Sequence, residues 1–265
     1  GSFFGVSSLK EINFTGNVNK FNKSVCEGCT SLTKVVLPVT IEILSRGCFW
    51  ACQNLTDINL EECTKLTSLG LDLFGNCTAL TDLTIPANVT TYGISILYGC
   101  TGLKNLTMPW KYNNNTESLS CFGRIFAPSS TSSALQSYVP ASLTNLTIND
   151  YDIIPASTFT SVNISSTCKF TGTNGGQIQS MPGCDTLELY GNPSIGKESS
   201  YLVSSSSTIS KFNIYNSPTI ANSIYFYNIS TVYIDENATP IFGGDISTLD
   251  SFKLVINNTT WMNDT

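Results

Sequence analysis

The sequence predicts a right-handed solenoid, mostly β or mixed α/β, with a parallel ladder of short strands along one side. Three observations predict it. The stretch GCTSLTKVVLP at 28–38 returns as NCTALTDLTIP at 76–86 and GCTGLKNLTMP at 99–109, with weaker copies at 5–14 and 51–60. Its leucine falls at Leu9, Leu32, Leu55, Leu80 and Leu103, in steps of 23, 23, 25 and 23 residues. Each copy reads L-x-x-L-x-L, whose last positions alternate apolar and polar, the period of a strand with one buried face. Units repeating at such a period bury their apolar faces only by stacking on neighbours.

Within the unit, Leu32, Val35 and Leu37 are one inward set and Leu80, Leu83 and Ile85 another. Pro38, Pro86 and Pro109 follow these sets and are expected to end the strand, because Pro has no N–H to donate to a ladder. The return segment, for example 39–49, carries Ile41, Ile43 and Phe49 to pack behind the strands. Two further columns precede the leucine. Val6, Cys29, Cys52, Cys77 and Cys100 form one, and Phe3, Cys26, Phe49, Phe74 and Leu97 the other. Both read as buried ladders, since free Cys packs like a small hydrophobe. Cys77→Ser is accordingly expected to cost about 1–3 kcal/mol by burying a hydroxyl without a partner.

Residues 1–109 therefore hold regular repeats, 110–140 an irregular insertion and 141–265 divergent repeats, all in one solenoid. The insertion reads as a tolerated surface connection; as a binding loop it would offer Trp110, Tyr112 and Phe122 as anchors. In the second half the middle apolar positions are set at Leu146, Val162, Leu187, Phe212, Val232 and Phe252.

The stretches CEGCTSLTKVVLP (26–38), LFGNCTALTDLTIP (73–86) and ILYGCTGLKNLTMP (96–109) resemble the BspA-like leucine-rich repeat family, as does YDIIPASTF at 151–159. The resemblance covers residues 3–109 best and fades beyond 165. It implies a leucine-rich repeat solenoid, a horseshoe with its parallel ladder on the concave face. It also implies an extracellular or cell-surface protein of bacteria or protists, active in adhesion to host or matrix proteins, with no family-wide catalytic residues.

Composition narrows function in the same direction. The chain has 265 residues, of which 41% are apolar and only 12% charged, so Asn, Ser and Thr must supply most surface polarity. A net charge of −6 disfavours nucleic acid and anionic membranes, which need a basic face. No apolar run is long enough to span a bilayer. The chain begins Gly1-Ser2 rather than Met, and targeting segments are expected to be missing from it. There is no histidine, which excludes Ser–His and Cys–His couples and His-ligated metals within the chain. No cofactor is expected.

Other chemical readings have simpler rivals. Cys26-x-x-Cys29 with Cys48-x-x-x-Cys52 has a zinc-ribbon spacing, but three of these four lie in core columns. Cys48, Cys63, Cys121 and Cys168 lie outside the columns and are where a disulfide would be sought. Asp57 and Asp82 occupy one strand position in successive repeats, a spacing open to glycosidase chemistry, yet an exposed ladder has no cleft to raise a pKa. A polysaccharide-active β-helix enzyme would also need clustered Asp, Lys and Arg, and Arg46 and Arg124 are the only arginines.

The candidate ligand face is the outward side of the ladder: Glu11, Lys34, Asp57, Asn59, Asp82 and Asn105, with Tyr190 and Tyr215 stacking further along. Extended partners dock on such a ladder and aromatic faces can hold sugar rings, so a glycan fits it, and the resemblance implies a host or matrix protein. A solvated face and a structural tyrosine ladder at the sheet edge are the simpler readings. The sequence thus reads as a non-catalytic recognition module, with a structural spacer of a larger surface protein as the alternative. Asn-x-Ser/Thr triplets, such as Asn105-Leu106-Thr107 and Asn145-Leu146-Thr147, recur with the repeat and are glycan acceptors only in a secreted eukaryotic protein.

Overall fold

The computed structural model describes residues 1–111, 121–131, 135–171, 176–195, 209–216, 218–220, 229–242 and 253–256. They fall into two compact units, Gly1–Leu143 and Thr144–Thr265, each a parallel-strand solenoid of stacked coils. Among the described residues no helix is long and apolar enough to cross a membrane.

Each of the first four coils of the first unit carries a front strand and a two-residue back strand, and a fifth front strand follows. In chain order they are β1 (Glu11–Asn13), β2 (Lys20–Phe21), β3 (Lys34–Val36), β4 (Ile43–Leu44), β5 (Asp57–Ile58), β6 (Ser68–Leu69), β7 (Asp82–Thr84), β8 (Thr91–Tyr92) and β9 (Asn105–Trp110). In front, β1, β3 and β5 pair in parallel, as do β7 and β9. Behind, β2, β4, β6 and β8 form a second parallel ladder through Phe21, Leu44, Leu69 and Tyr92. These four side chains point inward, so Leu44 takes the buried place expected of Ile43, while Ile41 and Phe49 are buried as expected.

The front ladder breaks between β5 and β7. Where other repeats place Pro after the third apolar residue, this one has Leu60-Glu61-Glu62, which coil into a short 3-10 turn. The backbone leaves the strand at Asn59, and the Asn59 side chain replaces the missing strand bonds. Its Oδ1 accepts the Leu37 N–H (2.7 Å) and its Nδ2 donates to the Leu37 carbonyl (3.2 Å). Pro38 and Pro86 do lie just past their strands, but Pro109 lies inside β9. That strand runs on because Trp110 is buried beside Phe122 and the Tyr92 hydroxyl holds the Pro109 carbonyl (2.8 Å).

The third side of the unit is a stack of turns. Leu32, Leu55, Leu80 and Leu103 and the cysteines Cys29, Cys52, Cys77 and Cys100 are fully buried there. Each turn passes N–H bonds to the next coil: Cys26 N–H to Cys48, Phe49 to Leu73 and Phe74 to Ile96. The thiols point back the other way. Cys29 donates to the Phe3 carbonyl (3.0 Å), Cys52 to Cys26, Cys77 to Phe49 and Cys100 to Phe74 (3.1 Å each). The same carbonyls accept the N–H of Val6, Cys29, Cys52 and Cys77 within their own coils. Both lone pairs of each carbonyl are therefore used. Val6, in the first coil, is 39% exposed rather than buried as its column predicts. The expectation that a serine at 77 would lack a partner is thereby corrected: the Phe49 carbonyl is in place.

Each turn also needs two left-handed residues. Ser24, Gly47, Asp72 and Ser95 fill the first position, and Gly5, Gly28, Ala51, Asn76 and Gly99 the second, all at φ between 57° and 74°. Glycine or Asn suits this region, whereas an alanine there costs about 1–2 kcal/mol. Ala51→Gly should therefore raise stability by about 0.5–1 kcal/mol, seen as a higher unfolding midpoint. An unchanged or lower midpoint would argue that the Ala51 methyl contributes more than its conformation costs.

The insertion is partly another coil. Trp110 and Phe122 are both buried (1% and 0% exposed), so they are core residues rather than exposed anchors. Arg124 and Ile125 accept the N–H groups of Ser95 and Leu97, continuing the stack of turns. The ring of Tyr112 lies outside the described residues.

In the second unit the front strands are β10 (Asn145–Tyr151), β12 (Thr167–Phe170), β14 (Cys184–Leu189), β16 (Ile209–Ile214), β18 (Thr231–Ile234) and β20 (Lys253–Ile256). The back strands are β11 (Ile153–Ile154), β13 (Gln177–Ile178), β15 (Ser194–Ile195), β17 (Thr219–Ile220) and β19 (Ile241–Phe242). The middle inward column reads Leu146, Cys168, Leu187, Phe212 and Val232. One expected position is corrected: Val162 lies in a turn, and Cys168 takes the strand position. Phe252 lies outside the described residues, and Leu254 is the register partner of Val232 on the last strand. All ten cysteines are free thiols, Cys48, Cys63, Cys121 and Cys168 included. The Tyr151 hydroxyl is buried and meets no hydrogen-bond partner among the described residues. Tyr151→Phe should raise stability by about 1 kcal/mol in chemical denaturation; a loss would show that the hydroxyl is satisfied in solution.

Candidate functional site

Outward side chains of a parallel ladder fall into columns, because residues in register stack every strand. In the first unit Glu11, Lys34 and Asp57 occupy one column on β1, β3 and β5. The Lys34 ammonium meets the Asp57 carboxylate at 2.8 Å, with both side chains about half exposed. A hydrogen bond from Lys34 to Asp57, then their attraction, holds the Lys34 pKa above its ordinary value. Exposed pairs of this kind add little to stability.

Asp82 and Asn105 sit opposite each other on β7 and β9. The Asn105 amide and the Thr81 hydroxyl each donate to Asp82 at 2.6 Å. The Thr81 bond first, and then the Asn105 bond, keep the Asp82 carboxyl below the usual range. What Asp82 contributes to stability is thus present above the ordinary carboxylate pKa and fades as pH falls through its lowered one. Because the ladder breaks after β5, Asp57 and Asp82 are not strand neighbours. Asn59 is half-buried and bonded to Leu37 and to Glu62 (3.1 Å).

The second unit presents a different face. Tyr190 and Tyr215 directly follow β14 and β16, in register, and their rings stack at 4.4 Å and 11°. The Lys169 ammonium lies 4.4 Å over the Tyr190 ring. Tyr233, one column over on β18, packs on Tyr215 at 5.8 Å, and its hydroxyl lies 3.4 Å from Asp235. Burial first, then the charge of Glu188, pushes Tyr190 up to about 12 and raises Tyr215. All these rings are half-exposed. Tyr225 and Tyr227 lie outside the described residues. The structure therefore brings Tyr190 and Tyr215 together, and Glu11 with Lys34 and Asp57, and Asp82 with Asn105.

Sequence reasoning missed one feature of the first unit. On the outer side of the turns a cleft of about 330 Å³ is lined by Glu27, Arg46, Trp50, Asp72 and Tyr98, with Ser129 at its rim. Trp50 and Tyr98 stack at 6.0 Å and 15°, and Arg46 meets Asp72 at 3.3 Å. Burial holds the Asp72 carboxyl above its usual range, although Arg46 pulls it down. The signal was available in one column, Glu27, Trp50, Gly75 and Tyr98, which a search confined to the strands does not read. Among the described residues no cluster of His, Cys, Asp and Glu has a metal-holding arrangement.

A family model described as the BspA type leucine rich repeat region matches residues 1–125, in six copies. No curated protein matches the chain. Among solved structures, a leucine rich repeat protein of T. pallidum is 19% identical, with 63% of each chain covered and a TM-score of 0.38. A leucine-rich repeat protein from Bacteroides ovatus is 16% identical, covering 90% of this chain and 64% of its own, with a TM-score of 0.45. A leucine rich cell surface protein from Faecalibacterium prausnitzii is 16% identical, covering 92% and 82%, with a TM-score of 0.24. The chain spans less than two thirds of the length of the first two.

Proposed function

Taking as premise that residues 1–125 belong to the BspA-type leucine-rich repeat family, we propose that the protein is a non-catalytic recognition module. It acts at a cell surface or outside the cell and binds a host or matrix protein, or a glycan, through the outward face of its ladders. The observation that carries this reading is the Tyr190–Tyr215 stack with Lys169 over it. Aromatic rings held rigid on strands give contact area at small entropic cost, and charged neighbours at their edge add orientation. The family supports a place outside the cell and the absence of catalysis.

A screen of the intact chain against arrayed matrix proteins and glycans tests the proposal. Saturable, specific binding to at least one of them is expected. A folded chain that binds nothing favours the spacer reading. That alternative draws on the first unit, where Lys34 pairs with Asp57 and Asp82 with Asn105, leaving the ladder face largely engaged with itself.

A further inference from the structure

We infer that the cleft on the turn side of the first unit is a binding site for a neutral saccharide, distinct from the ladder faces. Its platform exists because of one glycine. The carbonyls of Glu27, Trp50, Gly75 and Tyr98 each accept the N–H of the residue that begins the same half-turn one coil earlier, so the four form a column. A Cβ at Gly75 would lie 2.0 Å from Cζ3 of Trp50. The indole therefore lies across the bare backbone of Gly75 and reaches the Tyr98 ring beyond it.

Polar groups surround this platform. Asp72 is only 9% exposed and orients the Arg46 guanidinium, which stays largely in solvent. The Glu27 carboxylate rests against Gly47, and its side chain accepts no hydrogen bond among the described residues. The cleft thus offers an aromatic surface, two carboxylates as acceptors and a fixed guanidinium donor within about 330 Å³. That volume is at the small end of ligand pockets, which run from about 300 to 1,000 Å³.

Charge selects the ligand. Two carboxylates repel an acidic ligand. Arg46 repels a cationic one, and the near-parallel rings do not converge into a cage around an ammonium. A pyranose satisfies what remains: its C–H face lies on the indole, its hydroxyls donate to Glu27 and Asp72, and a ring or hydroxyl oxygen accepts from Arg46. The inference rests on the recognition reading above but uses other residues, so either can fail alone.

The test is a titration of the intact chain with neutral hexose oligomers (gluco-, manno- and N-acetylglucosamine series), followed by calorimetry and tryptophan fluorescence. Saturable binding with a change in indole emission is expected for at least one series. Affinity should fall by about tenfold or more in Trp50→Ala and in Gly75→Ala. The second variant adds one methyl, removes no polar group and displaces only the indole. Both should keep the wild-type unfolding midpoint to within a few degrees, since Trp50 is half-exposed. Absence of binding to every series overturns the inference. So does sugar binding retained in both Trp50→Ala and Gly75→Ala, or a cleft that takes oligolysine in preference to any sugar.

Discussion

Phe74→Ala should destabilise the first unit by about 3–5 kcal/mol, the range for emptying a buried phenylalanine site. Phe74 is fully buried and stacks on Phe49 at 5.7 Å with the planes 10° apart. Its backbone N–H to the Ile96 carbonyl (2.8 Å) is untouched by the change, so the loss measures packing alone. In a solenoid each coil touches only its neighbours, so the cost should couple to the adjacent coil and no further. Urea unfolding of Phe74→Ala, Phe49→Ala and the double variant checks this. The two single losses should exceed the double loss by about 1 kcal/mol or more, because the rings share one contact. A single loss below about 1 kcal/mol would mean that the aromatic column is not the core of the turn stack.

The second large effect concerns the thiols. Cys77 is fully buried, and its Sγ donates to the Phe49 carbonyl at 3.1 Å while the Cys52 N–H fills the other lone pair. Cys77→Val should cost about 1–3 kcal/mol, since a methyl forced against that carbonyl overpacks the site and leaves a lone pair unfilled. Cys77→Ser should cost less, about 1 kcal/mol, because a hydroxyl keeps the donor on a slightly shorter bond. If the column were simply apolar, valine would match cysteine and serine would be worst. That order of midpoints would contradict the thiol-to-carbonyl account.

The columns that were legible are those in which one contact recurs at one spacing. Leu32, Leu55, Leu80 and Leu103 make the same burial four times, as do Cys29, Cys52, Cys77 and Cys100 and, in the column before them, Cys26, Phe49, Phe74 and Leu97. The strands, their register and the outward places of Glu11, Lys34, Asp57, Tyr190 and Tyr215 follow from that spacing. Hidden from the sequence were the places where a residue type departs from its column. Cys168 fills a strand position with a thiol in a stretch without leucine, so the apolar Val162 six residues earlier drew the assignment. Leu60-Glu61-Glu62 supplied no sign that Asn59 would take over strand bonds from its side chain. The segment of Trp110 and Phe122 reads as a surface connection, with these rings as anchors only in the alternative, because it lacks the repeat, yet both are buried and Phe122 begins a turn that stacks as the others do. The Trp50 cleft was hidden by distance, since its two rings come from coils separated by the coil of Gly75.

The most direct test of the account is an equilibrium binding titration of a protein partner found on the array. It would compare the wild-type chain with Asp57→Lys/Asp82→Lys and with Tyr190→Ala/Tyr215→Ala. The account predicts that at least one double variant loses about tenfold or more in affinity, a change of about 1.4 kcal/mol, while its unfolding midpoint stays near that of the wild type. Equal affinity in the wild type and both variants would contradict it, by removing recognition from the outward ladder faces.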